Sequence, residues 1–257
     1  MIQPPLEAAS IRIVGMSRSG NHAIIDWLLR ALDGRRWCFL NCVEPGADPW
    51  ASARPMDDGR RWVASRGAPL SGSHGSASSP RRSLDYVVRS YEDCFLKPVL
   101  GVDHEASAAV GRQCRDVLIL RDPFNLFASR RRSATGGVNE RVALRIWKQH
   151  ARTFLQGRFG RRPIVPISYN AWVVDAAYRN AVMRSLGLPG PTGGIGVVAR
   201  CNGGSSFDGL AFADRPERMR VFQRWRHYAD ERSFWAVFDE DAYDLASRIF
   251  AQAELPS

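Results

Sequence analysis

Eight consecutive residues near the start of the chain, Gly15-Met16-Ser17-Arg18-Ser19-Gly20-Asn21-His22, combine two glycines, two hydroxyl side chains and an arginine. They follow the apolar run 11–14 and precede a helical pattern of apolar residues at Ile24, Ile25, Trp27, Leu28, Leu29 and Leu32. A glycine-bearing turn between a strand and a helix aims several backbone N–H groups at one point, where the helix dipole also favours negative charge. The segment is therefore expected to cradle an anion, with Arg18, Ser19, Gly20, Asn21 and His22 around it.

The glycine spacing matches the GxxxxG of nucleoside triphosphate loops, but Asn21-His22 stands where Lys-Ser/Thr should follow. The missing hydroxyl is the group that ligates Mg²⁺ in those enzymes. Its replacement points to a transferred group of lower charge than phosphoryl, moved without a metal, with Arg18 supplying positive charge beside the leaving phosphate. A second candidate segment runs from Arg121-Asp122-Pro123 to Ser129, just after the apolar run 116–120.

Positioning these residues requires strands that end at the motifs. Apolar and β-branched runs predict strands at 11–14, 37–43, 84–90, 116–120 and 164–168. Helices are predicted at 124–132, 138–155 and 169–186. Two or three more follow at the end, the last burying Ala242, Leu245, Ala246, Ile249 and Phe250 on one face. Strands alternating with helices imply a three-layer α/β/α fold with a central, mainly parallel sheet of about five strands, in one domain spanning 1–257. Residues 64–83, dominated by Ser, Gly, Pro, Ala and Arg, hold too few large apolar groups to offset their ordering entropy and are expected to form a mobile loop.

The two motifs, taken in this order, resemble those of the sulfotransferase superfamily that uses 3′-phosphoadenosine 5′-phosphosulfate (PAPS). That family carries a P-loop-like segment with Lys or Arg followed by Ser-Gly, and a later strand ending in Arg-(Asp/Asn)-Pro with a serine eight residues after the arginine. The resemblance implies a P-loop-like sulfotransferase fold and PAPS as co-substrate. It places the 5′-phosphosulfate on residues 18–22 and the 3′-phosphate on Arg121 and Ser129. The Gly-rich stretch 201–209 sits where the family closes a late loop over the nucleotide, which adds Gly203, Gly204 and Ser205 to the expected contacts. Relative to the animal cytosolic enzymes, Arg18 replaces a lysine, Asn21-His22 replaces Thr-Thr, and the late loop lacks Arg-Lys-Gly.

The family's catalytic base is His or Glu at the end of the strand before the arginine-bearing one. Here that position reads Ser90-Tyr91-Glu92-Asp93, so the resemblance selects Glu92, with Asp93 as the alternative; the competing role for both is capping the next helix. His104 and His22 are further candidates, His22 being better placed to touch phosphate or substrate. The implied reaction is in-line sulfuryl transfer to a hydroxyl or amine of a small polar molecule or sugar.

Composition narrows the alternatives. The net charge is +10, and all but two of the 36 basic side chains are arginines, a residue suited to forked binding of phosphate and sulfate. Such charge also admits a nucleic-acid-binding module. That reading expects aromatics interleaved with basic residues on strands, whereas Trp27, Trp147, Phe154, Trp225 and Phe250 fall at helix-core spacing. A kinase or NTPase needs the metal-ligating hydroxyl, and a sulfotransferase-like fold without catalysis is distinguished only by assay. The five cysteines form no CxxC pair, which suggests neither a zinc site nor a disulfide framework. No run long enough to span a bilayer and no signal-peptide layout is seen, so a cytoplasmic protein is expected. Nothing in the sequence reads out the oligomeric state.

Overall fold

The computed structural model describes residues 9–56, 60–65, 84–101, 114–133, 138–188, 194–195, 205–209, 211–212, 215 and 218–250. Its hub is strand β1 (Ala9–Gly15), the segment that delivers the glycine-flanked loop. Further strands in chain order are β2 (Trp37–Leu40), β3 (Trp62–Ala64), β4 (Tyr86–Glu92), β5 (Cys114–Leu120), β6 (Arg158–Phe159), β7 (Arg162–Pro163) and β8 (Val165–Ser168). The main sheet has the order β3-β2-β4-β1-β5-β8, parallel throughout except for the antiparallel β2–β3 pair, while β6 and β7 form a small hairpin.

The helices are α1 (Asn21–Ala31), α2 (Pro49–Ser52), α3 (Leu96–Leu100), α4 (Pro123–Ser133), α5 (Glu140–Gln156), α6 (Tyr169–Val174), α7 (Ala176–Leu186), α8 (Arg232–Trp235) and α9 (Glu240–Ile249), with a 3₁₀ turn at Arg224–Tyr228. Strand side chains alternate between two apolar layers, as a pleated sheet covered on both faces requires. Ile11, Ile13, Val117, Ile119 and Phe39 pack with α1 and α7 on one face. Val14, Cys38, Leu40 and Leu118 pack with α3 on the other. Phe124, Trp147, Phe234 and Leu245 gather α4, α5, α8 and α9 into a third apolar cluster at Leu120. The result is a three-layer α/β/α architecture.

Chain order reverses on either side of β1, with later strands β4 and β5 both bordering it. In open parallel sheets such a switch point leaves a crevice beyond the carboxyl ends of the strands. Gly15, Glu92 and Leu120, the last residues of β1, β4 and β5, all end at that crevice.

The six-strand sheet fits the expected architecture, its extra strand being the three-residue β3 from a segment with no readable alternation. Two expectations need correction. The strand expected at 37–43 stops at Leu40, and Cys42 turns the chain with a φ of 44°. The helix expected over 169–186 breaks at Asp175, whose carboxylate accepts from Tyr178 N at 3.0 Å and so caps α7. Of the loop expected at 64–83, Ala64 closes β3 and residues 66–83 lie outside the described residues.

Candidate anion site at the strand ends

The loop after β1 is held by its own side chains. Ser19 Oγ donates to Met16 O at 2.6 Å and lies 2.7 Å from Asn21 Oδ1. Asn21 Nδ2 donates to Met16 O at 3.1 Å and to Glu92 Oε1 at 2.8 Å. Asn21, standing where a phosphate-loop lysine would reach outward, is therefore folded inward as a strut and is 4% exposed. That strut dictates Gly15, since a Cβ there would lie 2.3 Å from Asn21 Oδ1. Gly20 is dictated twice: its φ is 87°, and a Cβ would meet the Tyr169 ring at 2.2 Å.

Among the described residues, the backbone N–H groups of Arg18, Gly20, Asn21 and His22 meet no acceptor. The first-turn donors of α1 thus remain available at the positive end of the helix dipole. Arg18, with a φ of 73°, brings a half-buried guanidinium whose Nε also lacks a partner. Burial pushes the Arg18 pKa down, while the charge of Glu92 pulls the other way.

A second pocket forms beyond β5. Arg121 is 1% exposed and Ser129 is fully buried. Arg121 Nη1 lies 3.4 Å from Ser129 Oγ and donates to Arg18 O at 3.1 Å, while Nη2 donates to Val221 O at 2.6 Å. Its guanidinium rests over the Tyr169 ring at 4.9 Å, a cation–π contact.

A second arginine enters the same pocket. Arg224, 7% exposed, donates from Nη1 to Ser129 Oγ at 3.0 Å and from Nη2 to Ser205 Oγ at 2.7 Å. Burial, and then repulsion from Arg121, push its pKa down to about 10. Among the described residues, the Nε of each arginine is buried without an acceptor. Two buried guanidiniums converging on one hydroxyl make a strongly electropositive pocket, the arrangement that receives a phosphate or sulfate.

Asp122, next to Arg121 in the chain, is held in a buried network of amides. Asp122 accepts from Asn125 N at 2.8 Å, Asn125 Nδ2 at 2.9 Å and Asn170 Nδ2 at 3.0 Å. Asn125 Oδ1 in turn accepts from Arg224 N at 2.7 Å, which fixes where Arg224 emerges.

The two neighbouring carboxylates have different partners. Asp93, with a φ of 53°, accepts through Oδ1 from Ser17 N at 3.1 Å and from Arg130 Nη1 at 2.6 Å. It clamps the start of the loop. Glu92 uses one oxygen on Asn21 and keeps Oε2 without a partner among the described residues. Neither caps the following helix, whose N-cap is Phe95 with no side-chain bond. His22 Nε2 lies 3.1 Å from Asn41 Oδ1 at the head of a groove of about 780 Å³ that runs along α1 over Trp37 and Phe39.

The site thus brings together Arg18, Ser19, Gly20, Asn21, His22, Glu92, Asp93, Arg121 and Ser129. Ser205 reaches it through Arg224, while Gly203 and Gly204 lie outside the described residues, as does His104. Sequence reasoning missed Arg224, one arginine among many in the stretch 215–232, with no local pattern to mark it. It also missed Asn125 and Tyr169 as supports. Among the described residues no three His, Cys, Asp or Glu side chains gather as metal ligands. No family model matches the chain, and a search of curated proteins finds no match.

Proposed function

We propose that this chain is a sulfotransferase, moving a sulfuryl group from PAPS to a hydroxyl or amine of a small polar molecule or sugar. The observation that carries the reading is the 3.1 Å hydrogen bond from Arg121 to Arg18 O, which makes the two anion receptors share a wall. One ligand with an anionic group at each end of a nucleoside can then span both. The unpartnered N–H groups of residues 18 and 20–22 fit a 5′-phosphosulfate, and the buried, unpartnered Nε atoms of Arg121 and Arg224 fit a 3′-phosphate.

In this mechanism the N–H groups of the loop hold the sulfuryl donor in line, a positioning effect that removes much of the entropic barrier. Glu92, with Oε2 unpartnered among the described residues and Oε1 fixed by Asn21, takes the proton of the acceptor. Arg18 offsets the negative charge that grows on the bridging oxygen. Arg121 and Arg224 bind without reacting, and Ser129, whose hydroxyl donates to Asn125 O at 2.8 Å, holds the two guanidiniums in place.

The inward strut of Asn21 disfavours a P-loop kinase or NTPase, because neither a lysine nor a metal-ligating hydroxyl faces the ligand. Trp27, Trp147 and Phe250 are buried, so they offer no stacking platform for nucleic acid. Among the described residues no helix is long and apolar enough to cross a membrane, and we assign the activity to the cytoplasm. The test is release of 3′-phosphoadenosine 5′-phosphate from PAPS over a panel of hydroxyl and amine acceptors with EDTA present. The reading expects acceptor-dependent release by the wild-type protein, slowed by about 10²–10⁴ in Glu92→Gln. Turnover of ATP that requires Mg²⁺, with no PAPS turnover, would overturn it.

A further inference from the structure

We infer that Asp208 is a resident competitor for the two-arginine pocket, a carboxylate that occupies Arg224 until a phosphate-type anion takes the guanidinium from it. The inference rests on the reading that this pocket binds an anion. It concerns how the pocket regulates its own affinity.

Residues 205–209 form a tight turn, closed by Ser205 N to Gly209 O at 3.0 Å and Gly209 N to Ser205 O at 2.9 Å. The turn presents three groups to Arg224. Ser205 Oγ accepts from Nη2 at 2.7 Å, the Phe207 ring lies 5.2 Å from the guanidinium carbon, and Asp208 Oδ2 lies 3.4 Å from Nη2. Ser205 Oγ donates its own proton to Asp208 Oδ2 at 2.8 Å, aiming the carboxylate at the arginine.

The pairing is loose. Elsewhere in the molecule, Arg12 grips Asp116 with two bonds of 2.7 and 2.9 Å, and both residues are buried. That is the geometry of a permanent charge pair. Arg224 and Asp208 make one long, side-on contact, and the Asp208 side chain is 21% exposed. Long single contacts of this kind contribute little and are readily exchanged.

Charge balance explains why such a contact exists. Arg121 and Arg224 converge on Ser129, and among the described residues Asp208 is the one carboxylate paired with either. In the empty pocket it partly screens two like charges from each other. An entering dianion takes over that screening more completely and then stands within a few ångströms of the carboxylate, which repels it. Asp208 therefore stabilises the empty pocket and opposes the filled one.

This predicts two effects of opposite sign for Asp208→Asn. The anion-free protein should melt slightly lower, by about 1–3 °C, while the Kd for 3′-phosphoadenosine 5′-phosphate should tighten roughly tenfold, the size expected for removing one nearby like charge in a partly buried site. Inorganic sulfate, as a probe of the pocket alone, should show the same tightening. Asp208→Ala carries the same expectation and covers the case in which the Asn variant does not fold. Calorimetric titration of both variants, with Arg121→Met as control, decides the matter. Nucleotide binding that requires Arg121 but is unchanged or weakened in both Asp208 variants overturns the inference and leaves the pocket standing. Binding that ignores Arg121→Met removes the pocket itself, and the inference with it.

Discussion

The pocket after β1 and the pocket after β5 offer unpartnered donors to an anion, but they are assembled in opposite ways. The first is one contiguous segment, residues 15–22, whose donors are mostly neutral backbone N–H groups fixed by its own serine and asparagine. The second draws Arg121, Ser129 and Arg224 from separate parts of the chain, and its donors are buried charges. Bonds that close within a few residues shape the first cradle, and Glu92 and Asp93 tie it to the end of β4. A dispersed, charged pocket must be braced from outside, and Asn125, Asp122 and Tyr169 do that. The difference separates the roles: the first pocket can orient a reacting group, and the second can anchor.

The sharpest way to test that separation is at the carboxylate beside the first pocket. Glu92→Gln should lower kcat by about 10²–10⁴, the range for a general base, while the affinity for 3′-phosphoadenosine 5′-phosphate changes little. Equal losses in turnover and affinity would merge the two roles. Next in size is Gly20→Ala, where the new methyl meets the Tyr169 ring and the backbone sits at positive φ. We expect about 2–4 kcal/mol of lost stability in urea melts, since a buried ring cannot swing aside cheaply. A smaller loss would show that the loop and Tyr169 are less tightly coupled than the geometry implies.

Acid stability should depend on His150, which braces the turn that follows β4. His150 is buried, and its Nε2–H donates to Cys94 O at 3.0 Å, just beyond Glu92 and Asp93. Burial lowers its pKa from 6.5 to about 4, so the folded protein favours the neutral ring. Stability is then complete above pH 6.5 and falls as the pH drops toward about 4, by up to about 3 kcal/mol. His150→Gln keeps a donor for Cys94 O and should flatten this slope. Urea midpoints of the two proteins at about pH 7.5 and about pH 4.5 provide the check. A wild-type slope retained in the variant would assign acid lability elsewhere.

What was legible in the sequence follows the same division. The loop was readable because glycine spacing, flanking strand and flanking helix all lie within about 20 residues of each other. Arg121 and Ser129 were readable as a spaced pair on consecutive elements. Arg224 was not, because its partner Ser129 is 95 residues away and only the packed fold brings them together. The five parallel strands were found from their apolar runs, but β3 was hidden, since an edge strand of three residues carries no alternation to detect. Glu92 and Asp93 could not be separated by sequence either. Adjacent residues at a strand end diverge only when the backbone turns, and here Asp93 takes the positive φ that sends its carboxylate back to Ser17 and Arg130.

In the proposed mechanism one doubly anionic nucleotide spans both pockets. Calorimetric titration of wild-type protein and Arg121→Met with 3′-phosphoadenosine 5′-phosphate, and with adenosine 5′-phosphate lacking the 3′ group, tests it most directly. Arg121→Met should cost the doubly phosphorylated ligand about 100-fold in affinity while the singly phosphorylated one binds both proteins alike. Equal losses for the two ligands, or none for either, would contradict it.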